Sequence, residues 1–468
     1  MMAQTNRELV IPDVDRKVQK FGVKDQLGYL FGDFGNDFFF ILVGSFLMVY
    51  YTDVFGLSPA MVGTIFLIAR LWDAVADVTW GRFIDTRKPS KNGKFKPWIF
   101  RMSFPLVFSG VLMFIHIPGM STGFYEAYAF VTYILWGTLY STVNIPYGSM
   151  ASVITSDPVE RTSLSSFRTM GATLAGLIVN VIGPLIVFVD NKADPSRFFM
   201  AAIIFAVLSL SCYMACYKMS TERITETRKE GKTSLKRTLQ GVGKNKPLLI
   251  ILIASLVFIM SSMLKGAVDV YLFKNYFDNA KALSISGLIA TAAMFIAIVI
   301  AKPLVARFGK KEVAAAGLLL SVIDYLLLYF LSDISASQFL AISAVGMFGF
   351  SFFGIVVWAF VTDVIDYHEF ITGMKEDGTI YSIYSFARKV GQAVAGGLGG
   401  TALAAVGYSA SLDVQSESTL QGIHTLATLL TASSLFLVFL LLVFLYPLSK
   451  KKTLQLAQDL ADRRNAAK

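Results

Sequence analysis

One stretch near the start of the chain holds more charge than its surroundings favour: Leu67-Ile68-Ala69-Arg70-Leu71-Trp72-Asp73-Ala74-Val75-Ala76-Asp77. Asp73 and Asp77 are one helical turn apart, and Arg70 falls on the same face. They sit in an apolar run from about Met61 to Ile84, which at ~1.5 Å of rise per residue can cross a bilayer. On insertion scales each such charge costs roughly 2.5–3.5 kcal/mol at the bilayer centre. An internal ion pair that only fixes packing uses one acid and the base. Two acids for one base leave a carboxylate over, which suits binding of a cation or a proton.

Other polar groups recur at membrane depth. Asp33 and Asp37, in Phe31-Gly32-Asp33-Phe34-Gly35-Asn36-Asp37-Phe38, are again one turn apart. Helix packing explains Gly32 and Gly35 but not the carboxylates, so Asp37, near mid-span, reads as functional. Asp33 stays open between the two. Asn144 has the donors and acceptor to hold a pair of sugar hydroxyls, or it serves backbone groups freed at the kink of Pro146. Tyr147 shares that segment as a candidate substrate contact. Arg168, expected at the start of its span, snorkels by default to the headgroups.

In the second part of the chain, Lys265 and Asp269 are one turn apart and read as an internal ion pair. Asp324 has no partner in its own span. Asp363 and Asp366 lie near a span end and read as gate contacts to basic loops. Trp358 is deeper, either as packing or as an apolar platform for a pyranose ring. Lys389 begins two turns into its span, where an ammonium could answer the surplus carboxylates of Asp73 and Asp77 and exchange with a cation.

These residues need elements that hold them in a membrane. The 468 residues are 55% hydrophobic and only 16% charged, and long apolar segments recur throughout, so the chain reads as a polytopic, all-α integral membrane protein. Twelve spans are expected, at about 25–51, 60–84, 97–117, 124–153, 163–189, 197–217, 247–272, 283–306, 312–331, 338–365, 379–407 and 422–447. Lysine and arginine crowd the links after spans 2, 6, 8 and 12 and are absent after spans 1, 3, 9 and 11. The positive-inside rule then places both termini and the long basic loop in the cytoplasm. The expected organisation is a cytoplasmic N-terminus (1–24), a six-helix half (25–217), a linker loop (218–246), a second six-helix half (247–447) and a cytoplasmic tail (448–468). Matching basic turns, Gly81-Arg82-Phe83-Ile84-Asp85-Thr86-Arg87-Lys88 and Ala306-Arg307-Phe308-Gly309-Lys310-Lys311, support two pseudo-symmetric halves.

The net charge of +10 fits cytoplasmic loops and lipid headgroups, not nucleic acid. Cys212 and Cys216 are one turn apart in an apolar run and read as packing, with no metal set. The three histidines are assigned no role, and no cleavable signal peptide is read in residues 1–24. No G-x-x-x-x-G-K-[ST] loop and no nucleophile–base set occur, so neither ATP-driven transport, an organic cofactor nor enzymatic chemistry is expected. The energy source is then an ion gradient or the solute's own.

With these residues in hand, the chain resembles the glycoside–pentoside–hexuronide:cation symporters, the melibiose-permease-like branch of the major facilitator superfamily. The resemblance covers almost the whole chain. It is carried by Gly35-Asn36-Asp37-Phe38, Tyr50-Tyr51-Thr52-Asp53-Val54, Ala69 to Asp77, Gly93-Lys94-Phe95-Lys96-Pro97-Trp98 and Lys389. It implies a major-facilitator fold in a bacterial cell membrane, a cation site at Asp73 and Asp77, a glycoside hydrogen bond at Asp37, and Lys389 close to both. Two departures matter. Ala76 stands where the sodium-using members have Asn, and Asn144 where they have Asp. Losing an amide ligand weakens a sodium site, whereas two carboxylates still carry a proton, so the expected coupling ion is H+, with Na+ at Asp73 and Asp77 as the alternative.

The segments Val143-Asn144-Ile145-Pro146-Tyr147-Gly148-Ser149, Trp358-Ala359 and Ser385-Phe386-Ala387-Arg388-Lys389 are most similar to bacterial xyloside and glucuronide permeases. That implies a small glycoside, a xylose-containing disaccharide such as isoprimeverose first and a glucuronide next, with Arg168 available to a uronide carboxylate or to a gate. The short tail implies no fused regulatory domain. The expected activity is secondary active sugar:cation symport by alternating access. A galactoside, sodium coupling and a sugar sensor that does not transport are the alternatives.

Overall fold

Helix starts are written into the sequence as polar caps, several followed by proline. Ser58 accepts from the Met61 N–H ahead of Pro59, Asp194 from Arg197 ahead of Pro195, and Asn245 from Leu248 around Pro247. Ser335 forms a reciprocal box with Gln338. Each such side chain satisfies one of the donors a helix leaves open.

The computed structural model describes residues 20–87, 89–90, 92–155, 157–223, 242–373, 377–412 and 414–466. Most of the expected N-terminal segment, most of the 218–246 linker, and Lys88 and Lys91 lie outside the described residues. Among the described residues the long helices are α1 (Val23–Asp53), α2 (Pro59–Asp85), α3 (Lys96–Leu112), α4 (Thr122–Ile154), α5 (Pro158–Val187), α6 (Pro195–Met219), α7 (Lys246–Tyr271), α8 (Ala282–Phe308), α9 (Lys310–Phe330), α10 (Ala336–Thr372), α11 (Asp377–Ala405) and α12 (Glu417–Leu445). A two-residue antiparallel hairpin, β1 (Phe188–Val189) and β2 (Lys192–Ala193), joins α5 to α6. Helix α13 (Lys450–Ala466) follows α12.

Eight of these helices are long and apolar enough to cross a membrane by composition alone. The other four are α2, α3, α4 and α11. Helix α3 has 17 residues, and α2 and α11 carry Arg70, Asp73, Asp77, Arg388 and Lys389.

Packing repeats with a shift of six helices. Helix α1 packs on α5 and α6, α2 on α4, and α3 on α4 and α6; likewise α7 packs on α11 and α12, α8 on α10, and α9 on α10 and α12. Across the halves α2 meets α11, α5 meets α8, and α1 meets α7. The last three pairings also map onto one another under the same shift. This is the two-half architecture expected of the chain.

Both ends of the bundle can be named from these contacts. The terminal face carries the start of α1 and the tail helix α13. There Arg223 grips Asp25 with two hydrogen bonds, at 3.1 and 2.8 Å. Glu222 accepts from the backbone N–H groups of Lys94, Phe95 and Lys96, closing the start of α3. The opposite face carries the α1–α2, α7–α8 and α11–α12 turns.

Three differences from the sequence expectation have simple causes. Helix α5 begins at Pro158 and α10 runs to Thr372, because polar end turns extend helices beyond their apolar stretch. Arg168 therefore lies inside α5, near the start of its apolar stretch Ser163–Val187. The tail also forms α13, whose Leu456 and Leu460 are buried and whose Arg463 stacks on Phe370, 4.2 Å from the ring centroid.

Candidate functional site between the halves

The charged face of α2 lies against α4 and α11. Arg70 pairs with Asp73 at 3.6 Å and lies over the rings of Phe40 and Tyr133, at 5.5 and 6.0 Å. Asp73 Oδ1 is buried with no hydrogen-bond partner. Its space comes from Gly137 of α4, where a Cβ would come within 2.3 Å of that oxygen. Asp77 accepts a hydrogen bond from the Lys389 ammonium of α11, across the two halves. Lys389 also interacts electrostatically with Asp73 and Arg70. The two acids of α2 thus meet two bases, one from each half. Trp72 donates to Thr138 at 3.0 Å and ties the same turn of α2 to α4.

A second cluster lies on α1. Asp33 accepts from Arg168 Nε at 3.1 Å, and Arg168 lies over the Tyr147 ring at 5.4 Å. Tyr147 is fully buried, donates to the Tyr29 carbonyl at 2.6 Å and backs Arg168 with its ring. Asp37 interacts electrostatically with Asp33 and Arg168, and the phenols of Tyr140 and Tyr213 are close to it. Asn144 accepts from Asn36 Nδ2 at 3.4 Å, while Asn36 Oδ1 accepts from Tyr213 at 2.7 Å. The Tyr140 ring stacks on Phe40 at 5.8 Å and interacts with both Asp37 and Arg70, so it stands between the two clusters.

The remaining predicted residues make other contacts. Trp358 is 40% exposed, with Arg388 over its ring at 5.0 Å and Tyr384 edge-on at 5.3 Å. Lys265 pairs with Asp269 inside the second half. Lys310 donates to Asp363 at 2.6 Å, and Asp366 lies one turn further along α10, within electrostatic range of Asp363.

Toward the opposite face the halves are clasped. Asp53, at the end of α1, pairs with Lys274 beyond α7 and accepts from Tyr408 at 2.8 Å. Thr52 and Tyr271 share a hydrogen bond at 2.9 Å. Asn191 of the hairpin donates to the Lys274 carbonyl at 2.6 Å. Glycines let α2 and α11 touch: a Cβ on Gly63 would approach the Gly397 carbonyl to 2.6 Å, and one on Gly400 would meet Pro59 at 2.1 Å. Behind this seam is a cavity whose lining includes Gly44, Phe66, Arg70, Tyr133, Met263 and Gln392. The sequence reading assigned the clasp no role. Its signal lay in a loose likeness between Tyr50-Tyr51-Thr52-Asp53-Val54-Phe55 and Tyr271-Leu272-Phe273-Lys274-Asn275-Tyr276-Phe277, which carry Asp53 in one and Lys274 in the other.

Against this geometry, the sequence profile of the MFS/sugar transport protein family matches residues 28–450. The chain belongs to that family. It is a multi-pass membrane transporter of the sugar symporter type, not an enzyme. Among the family's proteins, it is similar to the uncharacterized symporter YjmB of Bacillus subtilis, 35% identical over 94% of this chain and 96% of that protein. It is 32% identical to the glucuronide carrier protein homolog of Escherichia coli, covering 95% of this chain and 97% of that one. It is 33% identical to the isoprimeverose transporter of Lactiplantibacillus pentosus, over 86% and 84%. In fold it is similar to a bacterial homolog of the human lysosomal transporter Spinster, with a TM-score of 0.62, 10% identity and coverage of 93% and 97%.

Proposed function

We propose that this sugar transporter couples uptake of a small glycoside to a proton, by alternating access between the two halves. The observation that carries the reading is the Asp77–Lys389 hydrogen bond across the halves, one turn from the Arg70–Asp73 pair. A carboxylate at this depth is held by the ammonium; once protonated it no longer holds it, and the seam between α2 and α11 loses its charge bond. Sugar bound by Asp37, with Asn144 and Asn36 as neighbouring polar groups, completes a loaded state that can reorient. A proton suits this site better than sodium: Ala76 supplies no oxygen ligand, and the ammonium already lies on Asp77. The basic links put the terminal face in the cytoplasm. The clasp at Asp53 and Lys274 then closes the outer face.

For the substrate we take a neutral xylose-containing disaccharide first, on the motifs around Asn144, Trp358 and Lys389. One observation favours an anionic sugar as the second reading. The Arg168 side chain is 41% exposed beside Asp33, and a guanidinium there can answer a uronide carboxylate. Proteoliposomes offered nitrophenyl xyloside, glucuronide and galactoside, with sodium and pH varied independently, test both. Accumulation of the xyloside driven by a proton gradient in sodium-free buffer is the expected result. Accumulation only with sodium at constant pH overturns the coupling, and failure of counterflow with every sugar overturns transport.

A further inference from the structure

The second half holds a buried charge cluster that the site between the halves does not use. Lys265 and Asp269 of α7 form an ion pair, and Lys265 Nζ lies 5.3 Å from the centroid of the Tyr325 ring on α9. One residue before that tyrosine is Asp324, which is 6% exposed. Its Oδ2 is buried without a hydrogen-bond partner, and so is Oδ1 of Asp269. Room for the Asp324 carboxyl is made by Gly346 of α10, where a Cβ would come within 2.4 Å of Oδ2. Ser321, one turn away, donates instead to the Gly346 carbonyl at 2.7 Å. The Gly346 backbone also hydrogen-bonds the Asp324 carboxyl, and the charge acting on it is that of Lys265. Among the described residues the cluster receives Lys265 and Asp269 from α7, Ser321, Asp324 and Tyr325 from α9, and the Gly346 backbone from α10. Met263 and Ala267, on the other side of α7, line the cavity between the halves, so the cluster is inside the second half and away from that cavity.

Two carboxyls share one ammonium in a low-dielectric interior. Both cannot stay ionised without leaving an unanswered charge, and Lys265 is already committed to Asp269. A metal cation would need several oxygen ligands, and the ammonium stands where it would sit. Among the described residues no group of three or more His, Cys, Asp or Glu could hold a metal ion. We propose that Asp324 carries a proton, making Lys265, Asp269 and Asp324 a second proton-binding site, inside the second half and separate from Asp73 and Asp77.

Infrared spectroscopy of the purified full-length protein near neutral pH tests this without any sugar. Asp324→Asn, with its melting temperature checked against wild type, is expected to lose the absorption of one protonated carboxyl. A folded Asp324→Asn protein with an unchanged carboxyl band overturns the proposal. If that variant does not fold, Asp324→Glu decides: it keeps a carboxyl at the position and is expected to shift the frequency of that one protonated-carboxyl band. An unshifted band in Asp324→Glu overturns the proposal equally.

Discussion

The Asp77 carboxylate of α2 and the Lys389 ammonium of α11 are hydrogen-bonded across the two halves of the transporter, 312 residues apart in the chain. Lys389 is about half exposed while Asp77 is mostly buried, with side-chain exposures of 49% and 19%. One charge bond thus joins α2 of the first half to α11 of the second, at a depth where breaking it exposes each partner to a poor solvent.

Removing only the base leaves the α2 acids one charge in excess. Lys389→Gln is expected to abolish uphill accumulation and to slow counterflow by at least roughly tenfold, equivalent to about 1.4 kcal/mol. Asp77→Asn combined with Lys389→Gln removes both charges and is expected to recover counterflow but not accumulation. Counterflow in the double variant no faster than in Lys389→Gln would show that the pair does not act as a unit; proteoliposomes loaded with unlabelled sugar provide the measurement.

The clasp of Asp53, Lys274 and Tyr408 joins the two halves toward the opposite face. Gly44 lines the cavity and has open space beside it, so a Gly44→Cys reporter fits. The native cysteines are buried in α6 and give little background. Adding Lys274→Met to the reporter is expected to speed labelling of its introduced thiol by an impermeant reagent severalfold from the clasped side. Unchanged labelling would mean that the clasp does not limit access.

Gly137 makes room for Asp73. In Gly137→Ala the new methyl group would lie within 2.3 Å of Asp73 Oδ1, so the carboxylate must move or α4 must shift. Overpacking of this kind costs roughly 1–3 kcal/mol. A lower melting temperature together with loss of coupled uptake is expected. Normal coupling in this variant would show that Asp73 can leave its observed position without consequence.

At the terminal face, Arg223 and Asp25 form a buried two-pronged pair, and Arg223 also donates to the Ile154 carbonyl at 3.3 Å. Truncating one member of such a pair leaves the other unanswered, at a cost of about 3 kcal/mol. Arg223→Ala should therefore lower the melting temperature in detergent by several degrees. Asp25→Ala should lower it similarly, and the double variant should cost less than the sum of the two. Additive shifts would contradict the pairing.

The helices were readable because bilayer length and hydropathy leave few alternatives, and Asp73, Asp77 and Lys389 stood out because charge at that depth is costly. Pairing was less readable. Arg70 and Lys389 both could answer the α2 acids, and only packing of α2 on α11 assigns Lys389 to Asp77. Asn36 was invisible as a hub between Asn144 and Tyr213, since an amide inside an apolar run carries no charge signal. The start of α5 at Pro158 was missed because its polar first turns lie outside any apolar count. The tail helix α13 is stabilised by docking Leu456, Leu460 and Arg463 on its neighbours, which no local pattern shows.

The most direct test is uphill accumulation by Asp77→Asn in proteoliposomes, with counterflow measured on the same preparation. If a proton on Asp77 couples sugar movement to the gradient, the variant exchanges sugar at near wild-type rates yet accumulates none against a gradient. Wild-type accumulation by a variant that also exchanges normally would contradict the account.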